Sequence, residues 1–120
     1  MVAIEQGDIV WLNLPDPVDS SPGGSHPAVV LQNDDFNRTR LSTVVVAMIT
    51  SQVRYANFKG NVYLPRGEGG LPKPSVVNVT QIDTVDRGSI TKKLGRLKQS
   101  RIDEIWTGVC MVLAPPPPLL

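Results

Sequence analysis

Sulfur and imidazole are scarce in this sequence. Its 120 residues hold one cysteine, Cys110, and one histidine, His26. A lone cysteine excludes an internal disulfide and suits a reducing compartment. One cysteine with one histidine is too small a set for a zinc site built by a single chain, so any chemistry is expected to be metal-free or to borrow its metal, and no cofactor is expected. Aromatic residues make up only 5% of the chain, which argues against a stacking platform for nucleic-acid bases. No apolar run approaches the roughly 20 residues that span a bilayer, so no membrane partner is expected. The opening "MVAIEQGDIVW" lacks the basic region and apolar core of a signal peptide. A cytoplasmic location is the expectation. Positive charge is missing from a whole section of the chain. Residues 1–35 carry Glu5, Asp8, Asp16, Asp19, Asp34 and Asp35 but no Lys or Arg.

All 12 basic residues therefore lie beyond Asp35, and the net charge of +1 hides this segregation. Between Phe36 and Arg66 stand Arg38, Arg40, Arg54, Lys59 and Arg66 without a single carboxylate. Lys and Arg supply most contacts to nucleic-acid phosphates, so this stretch suits a polyanion; scattered surface solvation explains it equally well.

Hydrophobic residues are 41% of the chain, ordinary for a globular domain. "DIVWLNL" (8–14) alternates in the manner of a strand, "AVVLQ" (28–32) is a short apolar strand, and "TVVVAMIT" (43–50) is a strand covered on both faces. "NVYLP" (61–65) and "SVVNVTQIDTVD" (75–86) complete the strand set. The segment 15–27, with four prolines and two glycines, is expected to be a long functional loop, and 33–42 a second loop. In "SRIDEIWTGVCMVL" (100–113), Ile102, Ile105, Trp106, Val109, Val112 and Leu113 form one apolar stripe on a helix. Ser100 is placed to cap that helix, with Asp103 three residues on, and Cys110 is expected to be buried. "APPPPLL" (114–120) is expected to be a disordered proline-rich tail after a single domain over residues 1–113. The fold class is mainly β with peripheral helices (α+β), a small barrel or sandwich.

Taken in order from Gly7 to Leu113, "GDIVWLNL", "GGSHPAVVLQND", "TVVVAMITS", "VNVTQIDTVDR" and "KLGRL" resemble the MazF/PemK family of toxin endoribonucleases. The resemblance implies a small SH3-like β-barrel of the MazF/CcdB type with a C-terminal helix, assembled as a homodimer. It implies metal-independent, sequence-specific cleavage of single-stranded RNA, leaving a 2′,3′-cyclic phosphate and a 5′-hydroxyl. It also implies a cognate antitoxin of the MazE type, whose flexible acidic segment lies in the same groove. Two alternatives stay open. The CcdB toxins share this fold and bind gyrase, and a nuclease-dead member would bind RNA without cutting it.

Two residues match the family's catalytic positions. His26 stands before Pro27, where many members carry an Arg, and Thr50 closes the apolar strand where the family has its Thr. Arg is a permanent charge that forks onto phosphate, whereas His exchanges protons near neutral pH. His26 therefore replaces the Arg in an active enzyme, marks a weakened member, or is a solvated loop residue. The Thr50 hydroxyl is too weak a base but can donate to a phosphate oxygen; its ordinary alternative is a bond to the adjacent backbone. Ser20 and Ser25 in the loop, Arg38, Arg40 and Arg54, and Gln81 in "VTQID" are the further candidate RNA contacts.

Overall fold

The computed structural model describes residues 3–15 and 24–119. Six strands, β1 (Asp8–Leu14), β2 (Gly24–Val30), β3 (Thr43–Thr50), β4 (Val62–Leu64), β5 (Ser75–Asp86) and β6 (Ile90–Arg96), form one sheet. Their order is β4-β5-β3-β2-β1-β6, and all neighbours are antiparallel. A one-turn helix α1 (Asp34–Asn37) follows β2, and the long helix α2 (Gln99–Leu113) ends the fold.

Alternation along the strands sorts their side chains onto two faces. Ile9, Val29, Ala47, Ile49 and Val77 meet Ile102, Ile105 and Val109 of α2 in one core. Val10, Leu12, Ala28, Val30, Val46 and Met48 fill a second core on the opposite face. The sheet is thus covered on both sides, which is why β3 reads as an almost unbroken apolar run. Register shifts in the β1·β6 and β3·β5 ladders mark bulges that bend the strands and curl the sheet.

Helix α2 approaches unusually closely. A Cβ on Gly108 would fall 2.1 Å from the Gly60 carbonyl oxygen, so only glycine allows the contact. At one edge of the sheet, the turn Glu68–Gly70 presses on β6: a Cβ on Gly70 would lie 2.2 Å from the Leu94 carbonyl oxygen. Arg101 of α2 clamps this turn, its Nε donating to Glu68 at 2.9 Å.

Several expectations require correction. β2 starts at Gly24 rather than residue 28, because β1 pairs with it down to Leu14↔Gly24. β6 was not expected; its "ITKKLGR" carries an edge strand's charges in place of clean alternation. The stretch 33–42 contains α1, started by Asn33, whose side chain accepts from the Asp35 amide at 2.8 Å. Ser100 does not cap α2. The Leu97 amide donates to the Gly7 carbonyl, which pins the chain there, and the Lys98 carbonyl already accepts from Arg101 and Ile102. Cys110 is exposed, not buried, because it lies one step around the helix from the inward-facing Val109. Residues 114–119 are exposed and outside any helix or strand.

Candidate active site

The pairing of β2 with β3 runs from Val30↔Val46 to Ala28↔Met48 and stops beside Pro27, whose ring has no N–H to extend a ladder. Carrying that register two residues further sets His26 level with Thr50, on the sheet face that holds Ala28 and Met48. The strands part instead. His26 stays paired with Leu12 of β1, and Thr50 pairs with Val76 of β5. Between the parted ends opens a cleft of about 690 Å³, and both His26 and Thr50 line it.

The Thr50 hydroxyl oxygen accepts from the Gln52 amide at 3.2 Å, the local backbone bond expected of a strand-closing Thr. Its own O–H is left to donate elsewhere, so the backbone bond orients the group rather than consuming it. Ser25 and Gln81 also line the cleft. Gln81 reaches it because β5 shifts register against β3 between Ala47 and Ile49, and the bulge so formed carries Asn78, Thr80 and Gln81 to the wall.

The remaining candidates lie elsewhere. Arg54 sits at the rim, its guanidinium 5.1 Å over the ring of Tyr55, which itself lines the cleft. Arg38 and Arg40 are exposed after α1, beside a separate apolar groove of about 310 Å³ bordered by Phe36, and neither lines the cleft. Ser20 lies outside the described residues.

Two features of the wall escaped the sequence reading. Lys73 is the one Lys or Arg among the described lining residues, and no carboxylate accompanies it there. Pro72 and Pro74 flank it, and the Ser75 hydroxyl donates to its carbonyl at 2.8 Å, so its backbone is well fixed. The pattern Pro-Lys-Pro was the available signal. Aromatic rings also gather here despite their low overall content. Trp11, Tyr55 and Phe58 line the cleft, and Tyr55 and Phe58 meet edge to face with centroids 5.2 Å apart. The sequence does not announce this gathering, since Trp11 stands 44 positions before Tyr55. Among the described residues, no three His, Cys, Asp or Glu side chains cluster in a way that could hold a metal ion.

A cleft whose described lining holds one imidazole, an oriented threonine hydroxyl and one lysine without a carboxylate suits a phosphodiester. The sequence pattern of the PemK-like, MazF-like toxins of type II toxin–antitoxin systems matches residues 5–113. The chain belongs to this family. It is 38% identical to Endoribonuclease MazF6 of Mycobacterium tuberculosis over 112 residues, covering 93% of this chain and 98% of that protein. It is 32% identical to Endoribonuclease EndoA of Bacillus subtilis over 111 residues, covering 92% and 95%. Among solved structures, MazF from Deinococcus radiodurans has the same fold, with a TM-score of 0.77, 22% identity, and coverage of 94% and 98%. A mycobacterial endoribonuclease in complex with its cognate antitoxin also matches, with a TM-score of 0.77, 22% identity, and coverage of 97% and 100%. The mainly β, curled sheet and the C-terminal helix of the MazF-like fold agree with the sequence expectation, and β6 adds a sixth strand to the five expected.

Proposed function

We propose that this MazF-like chain is an endoribonuclease that cuts single-stranded RNA at a short sequence without metal, as the toxin of a toxin–antitoxin pair. One observation carries the reading: His26 and Thr50, on neighbouring strands that part at Pro27, open onto one cleft. In the reaction, the ribose 2′-oxygen forms a bond to the adjacent phosphorus while the bond from phosphorus to the 5′-oxygen breaks. The imidazole of His26 makes one of the two proton transfers, taking the 2′-hydroxyl proton or protonating the departing 5′-oxygen, and water makes the other. Thr50 donates to a non-bridging phosphate oxygen as charge builds there. The Lys73 ammonium offsets the same charge, and Arg54 holds a neighbouring phosphate at the rim. The products are a 2′,3′-cyclic phosphate and a 5′-hydroxyl end.

The same cleft suits an acidic, extended segment of a MazE-like antitoxin, because a wall whose described residues include Lys73 and no carboxylate attracts either polyanion. A homodimer is part of this reading, and Met111, Val112 and Leu113, exposed on the last turn of α2, offer apolar surface for a second copy. Among the described residues no helix is long and apolar enough to cross a membrane. Cytoplasmic RNA is the proposed target.

The test is incubation of the purified chain with a long single-stranded RNA in EDTA, beside His26→Ala. Discrete cuts by the parent and none by the variant, with equal thermal stability, support the reading. Binding without cutting by the parent favours a nuclease-dead RNA binder instead. Full cutting by His26→Ala removes the imidazole from the mechanism.

A further inference from the structure

A chain of side-chain amides runs behind the cleft wall and ends on Gln81. Asn61, half-buried before β4, accepts from the Val79 backbone amide through Oδ1 at 3.0 Å. Its Nδ2 donates to the Tyr55 carbonyl at 2.9 Å and to Asn78 Oδ1 at 2.9 Å. Asn78 Nδ2 in turn donates to Gln81 Oε1 at 3.0 Å.

The direction of this chain is fixed by the backbone. A backbone N–H only donates and a backbone carbonyl only accepts, so Asn61 has one permitted orientation between Val79 and Tyr55. Turning it over would face N–H against N–H and oxygen against oxygen. With Asn61 fixed, its Nδ2 requires an oxygen of Asn78, and Asn78 is then left with its NH₂ towards Gln81. Gln81 must meet that NH₂ with its oxygen. Its own NH₂ is the group left to face the cleft that Gln81 lines.

We propose that Asn61 and Asn78 act as positioning residues that make Gln81 a hydrogen-bond donor to RNA, selecting a base with a carbonyl oxygen at pyrimidine C4 or purine C6 at one position of the cleavage site. This deepens the ribonuclease reading and rests on it. An unrestrained glutamine offers both a donor and an acceptor, and so accepts either class of base. A glutamine held by its oxygen distinguishes uracil and guanine, which present an oxygen at that place on the ring, from cytosine and adenine, which present an amino group. The relay also ties this contact to Tyr55, so the base-reading amide and the aromatic wall move as one unit.

The decisive variant is Asn78→Asp. A carboxylate has no N–H, so Gln81 must turn its NH₂ towards it and present its oxygen to the cleft. The parent, Asn78→Asp, Gln81→Ala and Thr80→Asp are each given a random-sequence single-stranded RNA, and the 5′-hydroxyl ends are sequenced. Thr80 lies on the same wall outside the relay, so Thr80→Asp controls for the added negative charge. The parent should prefer uracil or guanine at one position by roughly three- to tenfold, the scale of one hydrogen bond. Gln81→Ala should level that position. Asn78→Asp should reverse it towards cytosine or adenine, whereas Thr80→Asp slows cutting with the preference intact. If Asn78→Asp does not fold, Asn78→Ala frees Gln81 to turn both ways and should level the same position. An unchanged preference in Asn78→Asp, or in Gln81→Ala, overturns the relay. If the parent does not cut, the nuclease reading fails, and the same RNA pool selected by binding decides the relay alone. A bound pool without a preference for uracil or guanine at any position overturns it.

Discussion

Gly108→Ala is the most direct test of how the helix sets the cleft. The new Cβ would stand 2.1 Å from the Gly60 carbonyl oxygen, 3.0 Å from the Gly60 carbonyl carbon and 3.0 Å from Val79 Cγ1. The first two are backbone atoms and cannot swing aside. Helix α2 must therefore retreat, and Ile105 and Val109, only 1% and 2% exposed, lose contact with the sheet. Overpacking of this kind costs about 3 kcal/mol at the upper end of its range. Alanine's better helix propensity returns about 1 kcal/mol. The net destabilisation is about 2 kcal/mol, which lowers the melting temperature by roughly 8 °C in a chain of this size. Circular dichroism melts measure it directly. Gly88→Ala is the matched control, since a Cβ there meets nothing within 4 Å. Gly60 also precedes Asn61, so the retreat should blur base preference as well as lower stability. A Gly108→Ala protein that melts within 1–2 °C of the parent, roughly the resolution of the control, refutes the close-contact reasoning.

Other expectations concern the cleft and the acid limb. Thr50→Val keeps the shape but removes the donor, so kcat should fall about 100-fold or more while the melting temperature holds; an unchanged kcat removes Thr50 from the chemistry. His26→Arg keeps a positive charge but removes a group able to exchange a proton: if the imidazole works by proton transfer, kcat should fall about 100-fold or more while the melting temperature holds. An unchanged kcat would show that His26 acts only as a positive charge or not at all. Asp34 is held below its ordinary value of 3.8, chiefly by the Gln6 backbone amide and then by the Asn37 side chain. Because the folded value is depressed, its stabilisation is present above pH 3.8 and is lost as pH falls through the folded value. Asp34→Asn should therefore flatten part of the acid unfolding slope, read by melts across pH 2–5, the window around ordinary carboxylate titration.

How much of this was written plainly in the chain varies by element. β1, β3 and β5 were legible to the residue, since β-branched alternation or a continuous apolar run carries the signal and burial enforces it. β6 was hidden because Lys92, Lys93 and Arg96 break the alternation at an edge, where Lys93 pairs with buried Asp8 at 3.3 Å and Arg96 pairs with Glu5. The start of β2 was hidden because Gly24 to Pro27 are strand only by virtue of pairing with β1. In the cleft, His26 and Thr50 stood out by residue type and motif. Lys73, Tyr55 and Phe58 did not, because only the parting of β2 from β3 and the bulge in β5 bring them to one wall. The same bulge explains Gln81, which the motif suggested but whose donor orientation depends on Asn61, 20 positions away.

The turn at Glu68–Gly70 packs on Ile9, Leu94 and Leu97 beside the last residues of β6, whose Lys92, Lys93 and Arg96 give that margin of the sheet a charged edge. On the other side β4 offers three residues and then Pro65, a poor template for a further strand. Margins that are charged or short disfavour extension of the ladder, so a neighbouring copy meets this one chiefly through side chains. Assembly then answers to surface substitutions on loops and helix, and the exposed backbone of a crowded toxin has little opportunity to seed fibres.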